Sequence, residues 1–263
     1  MKSNQAKTAI ITGAYGAIGK AISRRMAEEG YRTTLVGRDE GRGRSCAEEI
    51  FRVTGNKQVF FEQVDLSRKI SIQSFASRWK GPLDVLINNA AWSPRKRTET
   101  PEGIEAQFAT NVLGYYWMIL SFLESLKQAP GARIVNVASY YAGGMDLDDP
   151  EFKKKRYNND TAYQQSKQAD RMLTVAFAER LKPFGITVNS CHPGDVNSKV
   201  SNDLGFGGHE TPDQGAATPV FLATSQTVKN VTGKYFSDRR ETFCEFSGDR
   251  RAIERLFDLC GTY

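Results

Sequence analysis

Histidine is nearly absent from this chain: only His192 and His209 occur in 263 residues. The four cysteines, Cys46, Cys191, Cys244 and Cys260, are scattered without CxxC or other metal-ligand spacing. That pattern argues against a zinc centre and gives no support to a disulfide framework. No apolar run approaches the roughly 20 residues that a membrane-spanning helix requires. The opening stretch "MKSNQAKTAIITGA" reaches strand-like residues within a few positions, leaving no room for a signal or transit peptide. Neither a Pro/Ser-rich linker nor an internal repeat divides the chain. The expectation is one domain over residues 1–263, soluble and cytoplasmic, with no membrane anchor and no metal.

Basic charge, by contrast, is in excess. The formal net charge is +6, with clusters at 95–97, 153–156, 239–240 and 250–251. These clusters are short, dispersed and not interleaved with aromatics, so they read as solvated surface, and nucleic-acid binding is not expected. A basic RNA-binding module would need a recognition motif, and the sequence has none. Short apolar or β-branched runs ("TAIIT", "RTTLVG", "QVFFEQV", "LDVLIN", "ARIVNVAS", "ITVNSC") alternate with longer helical segments such as "AIGKAISRRMAEEG". Strands apolar on both faces, alternating with helices, predict a buried parallel sheet built from βαβ units.

The first run is followed at once by "TGAYGAIG", Thr12 to Gly19, opening a helix. Glycines at such a turn let backbone approach a pyrophosphate, and the helix N-terminus stabilises its charge. Gly13, Tyr15, Gly16, Ala17, Ile18 and Gly19 are therefore candidate cofactor contacts. The second run ends "LVGRDEGRGR", with Gly37 where a fold choosing NAD usually places an acid. Arg38 follows, with Arg42 and Arg44 nearby, and a guanidinium suits the 2′-phosphate of NADP. Asp39 is read as a helix-start acid. NADP(H) is favoured over NAD(H).

In "DTAYQQSKQADRML", Tyr163 and Lys167 stand four residues apart, sharing one helix face. Thr161 and Gln164 have capping-box spacing, which predicts a helix start there and Tyr163 in its first turn.

Taken in order, the glycine loop, "VDLS" with Asp65, "NNAA" at 88–91, Asn111 in "TNVLG", Ser139 in "RIVNVAS", Tyr163 and Lys167 in "YQQSK", and "HPGDVNS" at 192–198 resemble the short-chain dehydrogenase/reductase superfamily over nearly the whole chain. The resemblance implies an α/β fold, a single-domain Rossmann-type doubly wound parallel sheet flanked by helices. It implies that Asp65 and Leu66 lie by the adenine, that Asn89 and Ala90 line the cofactor cleft, and that Pro193, Gly194, Val196 and Ser198 flank the nicotinamide. Asn88 and Asn111 have a plainer alternative, the pairing of buried backbone groups. Ser139 would hold the substrate oxygen. Tyr163 would act as general acid/base, its pKa lowered by the Lys167 ammonium together with the positive oxidised nicotinamide, and Lys167 would also bind the nicotinamide ribose. Asn111 would anchor a water-mediated proton path.

Three departures stand out. The loop reads TGxxGxxG, with Ala17 where a compact member usually has glycine. Ala91 replaces a commoner glycine, which matters only if that backbone needs positive φ. Ser139 and Tyr163 lie 24 positions apart, about twice the usual spacing, because of a charged insertion at 143–159. This combination looks most like the retinol-dehydrogenase-like and carbonyl-reductase-like subgroups, which favour NADP(H) and apolar carbonyls or alcohols. The insertion is expected to wall the pocket, or to block a helix face used for dimerisation, unless it is simply solvated. A lid is expected at 199–215. Trp92, Tyr140, Tyr141, Phe206 and His209 are the candidate substrate contacts, and Asp195 reads as a turn carboxylate. The reading is an NADP(H)-dependent oxidoreductase, monomer or homodimer, acting on a small carbonyl or alcohol. The alternative is a non-catalytic NADP sensor.

Overall fold

The computed structural model describes residues 6–263. Along the chain run β1 (Thr8–Thr12), α1 (Ala17–Glu28), β2 (Arg32–Gly37), α2 (Glu40–Thr54), β3 (Val59–Gln63), α3 (Lys69–Arg78) and β4 (Val85–Asn88). Next come α4 (Ala106–Phe108), a π-helical turn (Ala109–Leu113), α5 (Gly114–Ser121), α6 (Leu123–Gln128), β5 (Arg133–Val137), α7 (Asn159–Leu181) and β6 (Thr187–Cys191). The last part holds α8 (Lys199–Asp203), α9 (Pro212–Thr224), β7 (Tyr235–Ser237), β8 (Arg240–Thr242) and α10 (Arg250–Gly261).

One sheet of eight strands results, in the order β3-β2-β1-β4-β5-β6-β7-β8. Every neighbouring pair is parallel except β7 with β8. The sheet sits between two apolar layers, and the alternation of strand residues assigns each side. Ile10, Leu86, Ile134 and Val188 face the layer of α3, α5, α7 and α10. Ala9, Ile11, Ile87 and Val135 face α1, α2 and α9. Each fully buried Ile or Leu contributes about 1.5–3 kcal/mol.

The helix ends are set by local chemistry. Asp39 caps α2, its side chain accepting from the Arg42 N–H at 2.9 Å. That helix stops at Gly55, whose φ of 70° suits glycine. Thr211 and Gln214 form a capping box on α9. On α7 the cap is Asn158, which accepts from the Thr161 N–H at 2.9 Å. The helix therefore begins earlier than the Thr161/Gln164 spacing predicts, and Tyr163 sits in its second turn. An Asx cap two residues before the acidic Asp160 out-competes the capping box.

The reversal of strand order between β1 and β4 leaves a crevice beyond the carboxyl ends of the strands, where open α/β sheets bind ligands. No helix among the described residues is long and apolar enough to cross a membrane.

Candidate active site

The ends of β1, β2, β4, β5 and β6 open on one cleft of about 430 Å³. Its floor is the glycine turn after β1. Gly13 has φ 63°, and a Cβ there would lie 2.7 Å from the Ala90 Cα. A Cβ on Gly19 would lie 2.2 Å from the Gly13 carbonyl oxygen, so only glycine closes this turn. Gly16 begins α1 without any side-chain cap, which leaves the leading N–H groups of that helix open to an anion. Tyr15, Ala17 and Ile18 line the same cleft, as do Asp65, Leu66, Asn89 and Ala90. Asn89 donates through Nδ2 to the Thr12 carbonyl at 2.9 Å, tying β4 to the turn. Ala91 is not among the residues with positive φ, so its methyl group is accommodated. On the far wall, Pro193, Gly194, Val196 and Ser198 line the cleft, with Gly194 at φ 106°. The turn, the uncapped helix and the glycine-lined approach fit a dinucleotide.

At the end of β2, the ring of Tyr15 fills the space beside Gly37, and a Cβ on Gly37 would lie 2.2 Å from its Cε1. The Tyr15 hydroxyl accepts from the Asp39 N–H at 3.1 Å. Asp39 is committed to capping α2. The Arg38 guanidinium lies 4.8 Å from the ring centre of Trp92, and that of Arg42 lies 4.8 Å from the ring of Tyr15. Both cations line the cleft mouth, whereas Arg44 is turned away and paired with Glu40 at 2.7 Å.

Ser139, Tyr163 and Lys167 meet on the opposite wall. The Ser139 Oγ accepts from the Tyr141 N–H at 3.0 Å, which fixes the turn after β5. Lys167 Nζ lies 5.8 Å from the ring centre of Tyr163 and donates to the Val137 carbonyl at 3.0 Å. Burial holds the Tyr163 phenol above its ordinary range, while the Lys167 ammonium and the Ser139 hydroxyl pull it down. Lys167 thus lowers the phenol as expected, but among protein groups alone desolvation outweighs it. The phenol therefore carries its proton at neutral pH.

Asn111 stands in the π-helical turn and does not line the cleft. Its Oδ1 accepts from the Trp92 N–H at 2.9 Å, and its Nδ2 donates to the Trp92 carbonyl at 3.1 Å and to the Ser166 Oγ at 3.2 Å. The side chain thus clamps the loop carrying Trp92 to α7. Asn88 is buried and donates to the Asn136 Oδ1 at 3.0 Å.

Trp92, Tyr140, Tyr141 and Phe206 line the cleft, with the ring of Phe206 5.0 Å from that of Tyr141. His209 does not. Its side chain is 82% exposed and its Nδ1 lies 3.1 Å from the Asp195 carboxylate, so it belongs to the outer rim. The segment expected as a lid contains α8, whereas Pro212 onward belongs to α9. No residue of the insertion 143–159 lines the cleft. Instead the insertion is pinned to the body. The buried Asp149 carboxylate accepts the N–H groups of Lys153, Lys154 and Lys155 at 2.7, 3.0 and 3.0 Å. The buried Glu151 accepts from the Glu105 N–H at 2.9 Å and from the Tyr263 hydroxyl at 2.7 Å. Tyr157 donates to the Pro94 carbonyl at 2.9 Å, so the insertion braces the loop after β4 from behind.

Two buried charges on α7 escaped the sequence reading. Arg171 donates to the Ser139 carbonyl at 2.7 Å and lies 3.6 Å from the ring centre of Tyr235. Asp170 lies 2.8 Å from Lys167. For Asp170, its place three residues beyond Lys167 on one helix face was the available signal, whereas Arg171 left none. His192, whose ring sits 4.7 Å from that of Tyr140, is pushed down to about 4 by burial and by Arg171, and is neutral.

Fold and cleft together define a doubly wound α/β protein with a dinucleotide-type crevice at its switch point, and comparison with known proteins makes the class specific. The family model for short chain dehydrogenase matches residues 7–205, and the chain belongs to that family. Among curated relatives, retinol dehydrogenase 11 of Mus musculus is 34% identical over 268 residues, covering 96% of this chain and 84% of its own. Retinol dehydrogenase 11 of Homo sapiens is 35% identical, with the same coverage. A Streptomyces antibioticus protein named "Probable oxidoreductase" is 35% identical over 256 residues, covering 89% of this chain and 86% of its own. Among solved structures, an uncharacterized protein from Mycobacterium paratuberculosis superposes with a TM-score of 0.83 at 25% identity, over 97% of this chain and 92% of that one. The protein is an oxidoreductase acting on CH–OH or C=O groups.

Proposed function

We propose that this oxidoreductase uses NADP(H) to interconvert the carbonyl and alcohol forms of an apolar small molecule, with Tyr163 as the general acid/base. The observation that carries the reading is the convergence of Ser139, Tyr163 and Lys167 on one wall of a cleft whose mouth holds Arg38 and Arg42. When bound along the glycine turn, the dinucleotide supplies the hydride to the carbonyl carbon. As negative charge develops on the substrate oxygen, the Tyr163 hydroxyl gives up its proton to it and the Ser139 hydroxyl donates a hydrogen bond. In the reverse direction Tyr163 accepts the alcohol proton. Lys167 has three N–H donors, two of them committed within the protein, and the third is available to the nicotinamide ribose.

Arg38 and Arg42 suit the adenosine 2′-phosphate, because Asp39 is spent on capping α2 and Gly37 leaves no acid for a free ribose hydroxyl. Trp92, Tyr140, Tyr141 and Phe206 favour an apolar aldehyde, ketone or alcohol of retinoid, steroid or terpenoid type. The names of the retinol dehydrogenase relatives agree with that class. The experiment is NADPH and NADH oxidation with a panel of apolar carbonyls, in wild type and in Tyr163→Phe. Turnover with NADPH that falls about 10²- to 10⁴-fold in Tyr163→Phe, with cofactor affinity retained, is the expected result. Cofactor binding without turnover of any carbonyl would instead make the chain a nucleotide sensor.

A further inference from the structure

Lys167 comes to the cleft with a companion that the proposed chemistry does not use. Asp170 stands one helical turn further along α7, and its Oδ2 lies 2.8 Å from Lys167 Nζ, with the two side chains 0% and 1% exposed. A desolvated ion pair costs much of what its attraction returns, so a helix gains little stability by burying one. What the pair does fix is direction. Nζ is held between Asp170 and the Val137 carbonyl, which leaves a single N–H to face the cleft. The other carboxylate oxygen, Oδ1, is buried with no hydrogen-bond partner among the described residues. Thr174 Oγ1 bonds the Asp170 carbonyl at 2.7 Å and also accepts from the Asn136 Nδ2 at 2.9 Å, so the residue is anchored to β5.

We infer that Asp170 is a positioning residue for the Tyr163–Lys167 pair: its carboxylate orients the Lys167 ammonium and sets the pH window in which the pair works. This rests on the reading of Tyr163 as the acid/base.

Two effects act in the same direction. Burial pulls the Lys167 ammonium down, and the Asp170 carboxylate, the largest of the opposing partners, joins Tyr115 and Tyr163 in more than offsetting it, so Lys167 stays charged well above neutrality. Asp170 also cancels part of the field that Lys167 exerts on Tyr163, and so raises the phenol. The other groups facing Lys167 and Asp170 are Tyr115 on α5, Cys191 on β6, Cys260 on α10 and Tyr163 on α7 itself, and Tyr140, just after β5, faces Tyr163 in turn. Burial raises Tyr115, Cys191, Cys260 and Tyr163, so each of these is neutral near pH 7. Arg171, next on the helix, turns instead toward Ser139 and Tyr235. Burial pushes Asp170 itself up to about 6 against the pull of Lys167, which leaves it ionised at neutrality. Both limbs of the pH profile for alcohol oxidation, Tyr163 on the acid side and Lys167 on the alkaline side, therefore lie higher with the carboxylate than without it.

The test is kcat against pH for alcohol oxidation in wild type, Asp170→Asn and Asp170→Glu. In Asp170→Asn both limbs are expected to move to lower pH by about one unit or more, whereas Asp170→Glu keeps the wild-type window at reduced kcat. Should Asp170→Asn fail to fold, Asp170→Ser, which leaves room for water beside Lys167, reads the same two limbs. A neutral variant whose profile superimposes on the wild type overturns the inference, as does a Glu variant that shifts like Asn. Tyr163→Phe is the control. Turnover that survives it overturns the role of Tyr163, while Tyr163-dependent turnover that ignores Asp170 overturns only the role of Asp170.

Discussion

The ring of Tyr15 occupies the place beside Gly37 into which any side chain at position 37 would have to grow, with a Cβ there only 2.2 Å from the ring edge. The end of β2 is thus closed by an aromatic wall where other dinucleotide folds carry an acid. Gly37→Asp is expected to displace Tyr15 and raise the KM for NADPH rather than convert the enzyme to NADH. Adding Tyr15→Ala should relieve part of that loss, because two residues in contact do not act additively. Cofactor KM values across the double-mutant cycle check this.

Arg38 lies over Trp92 at the cleft mouth with no acidic partner among the described residues. Hydrogen bonds to a charged group contribute about 1.5–3 kcal/mol each. Arg38→Ala should therefore lower kcat/KM with NADPH about 10- to 100-fold and leave the NADH value within about threefold. Steady-state kinetics with both cofactors read the difference directly.

The insertion gives a stability prediction with a definite pH sign. Three backbone N–H groups on Asp149 and the Lys153 and Tyr263 contacts of Glu151 hold both carboxylates below their ordinary range, against the opposing effect of burial. A depressed folded pKa means that the stabilisation is present above the ordinary carboxylate value of about 4 and is lost as pH falls through the folded value. Asp149→Asn should cost about 1–3 kcal/mol at pH 7 and much less at pH 3. Urea unfolding at the two pH values measures it.

Six of the eight strands were legible because each is an apolar or β-branched run; five of them are buried, and only the edge strand β3 is partly exposed along its length. β8 was not. Its residues Arg240–Thr242 are exposed and owe their conformation to backbone pairing with β7, which leaves no mark in composition. Tyr163, Lys167 and the glycine turn were legible because local spacing carries their geometry. Asp149 and Glu151 were hidden in a charge run, since one is satisfied by backbone and the other by Tyr263, 112 positions away. Arg171 was equally hidden, because it is buried through a carbonyl at the end of β5 and a ring on β7.

That arginine has a consequence for how the protein must breathe. Arg171 grips the Ser139 carbonyl while Lys167 grips that of Val137, so a single helix is riveted twice to the strand end beside it. Ser139, Tyr163 and Lys167 are thereby tied into one block, the wall on which the proposed chemistry rests. α8, which buries none of its residues, is the opposite kind of material. The Lys199–Phe206 side of the cleft is thus the wall that packing restrains least, and a substitution there reaches the Ser139, Tyr163 and Lys167 side chains through no buried contact of its own.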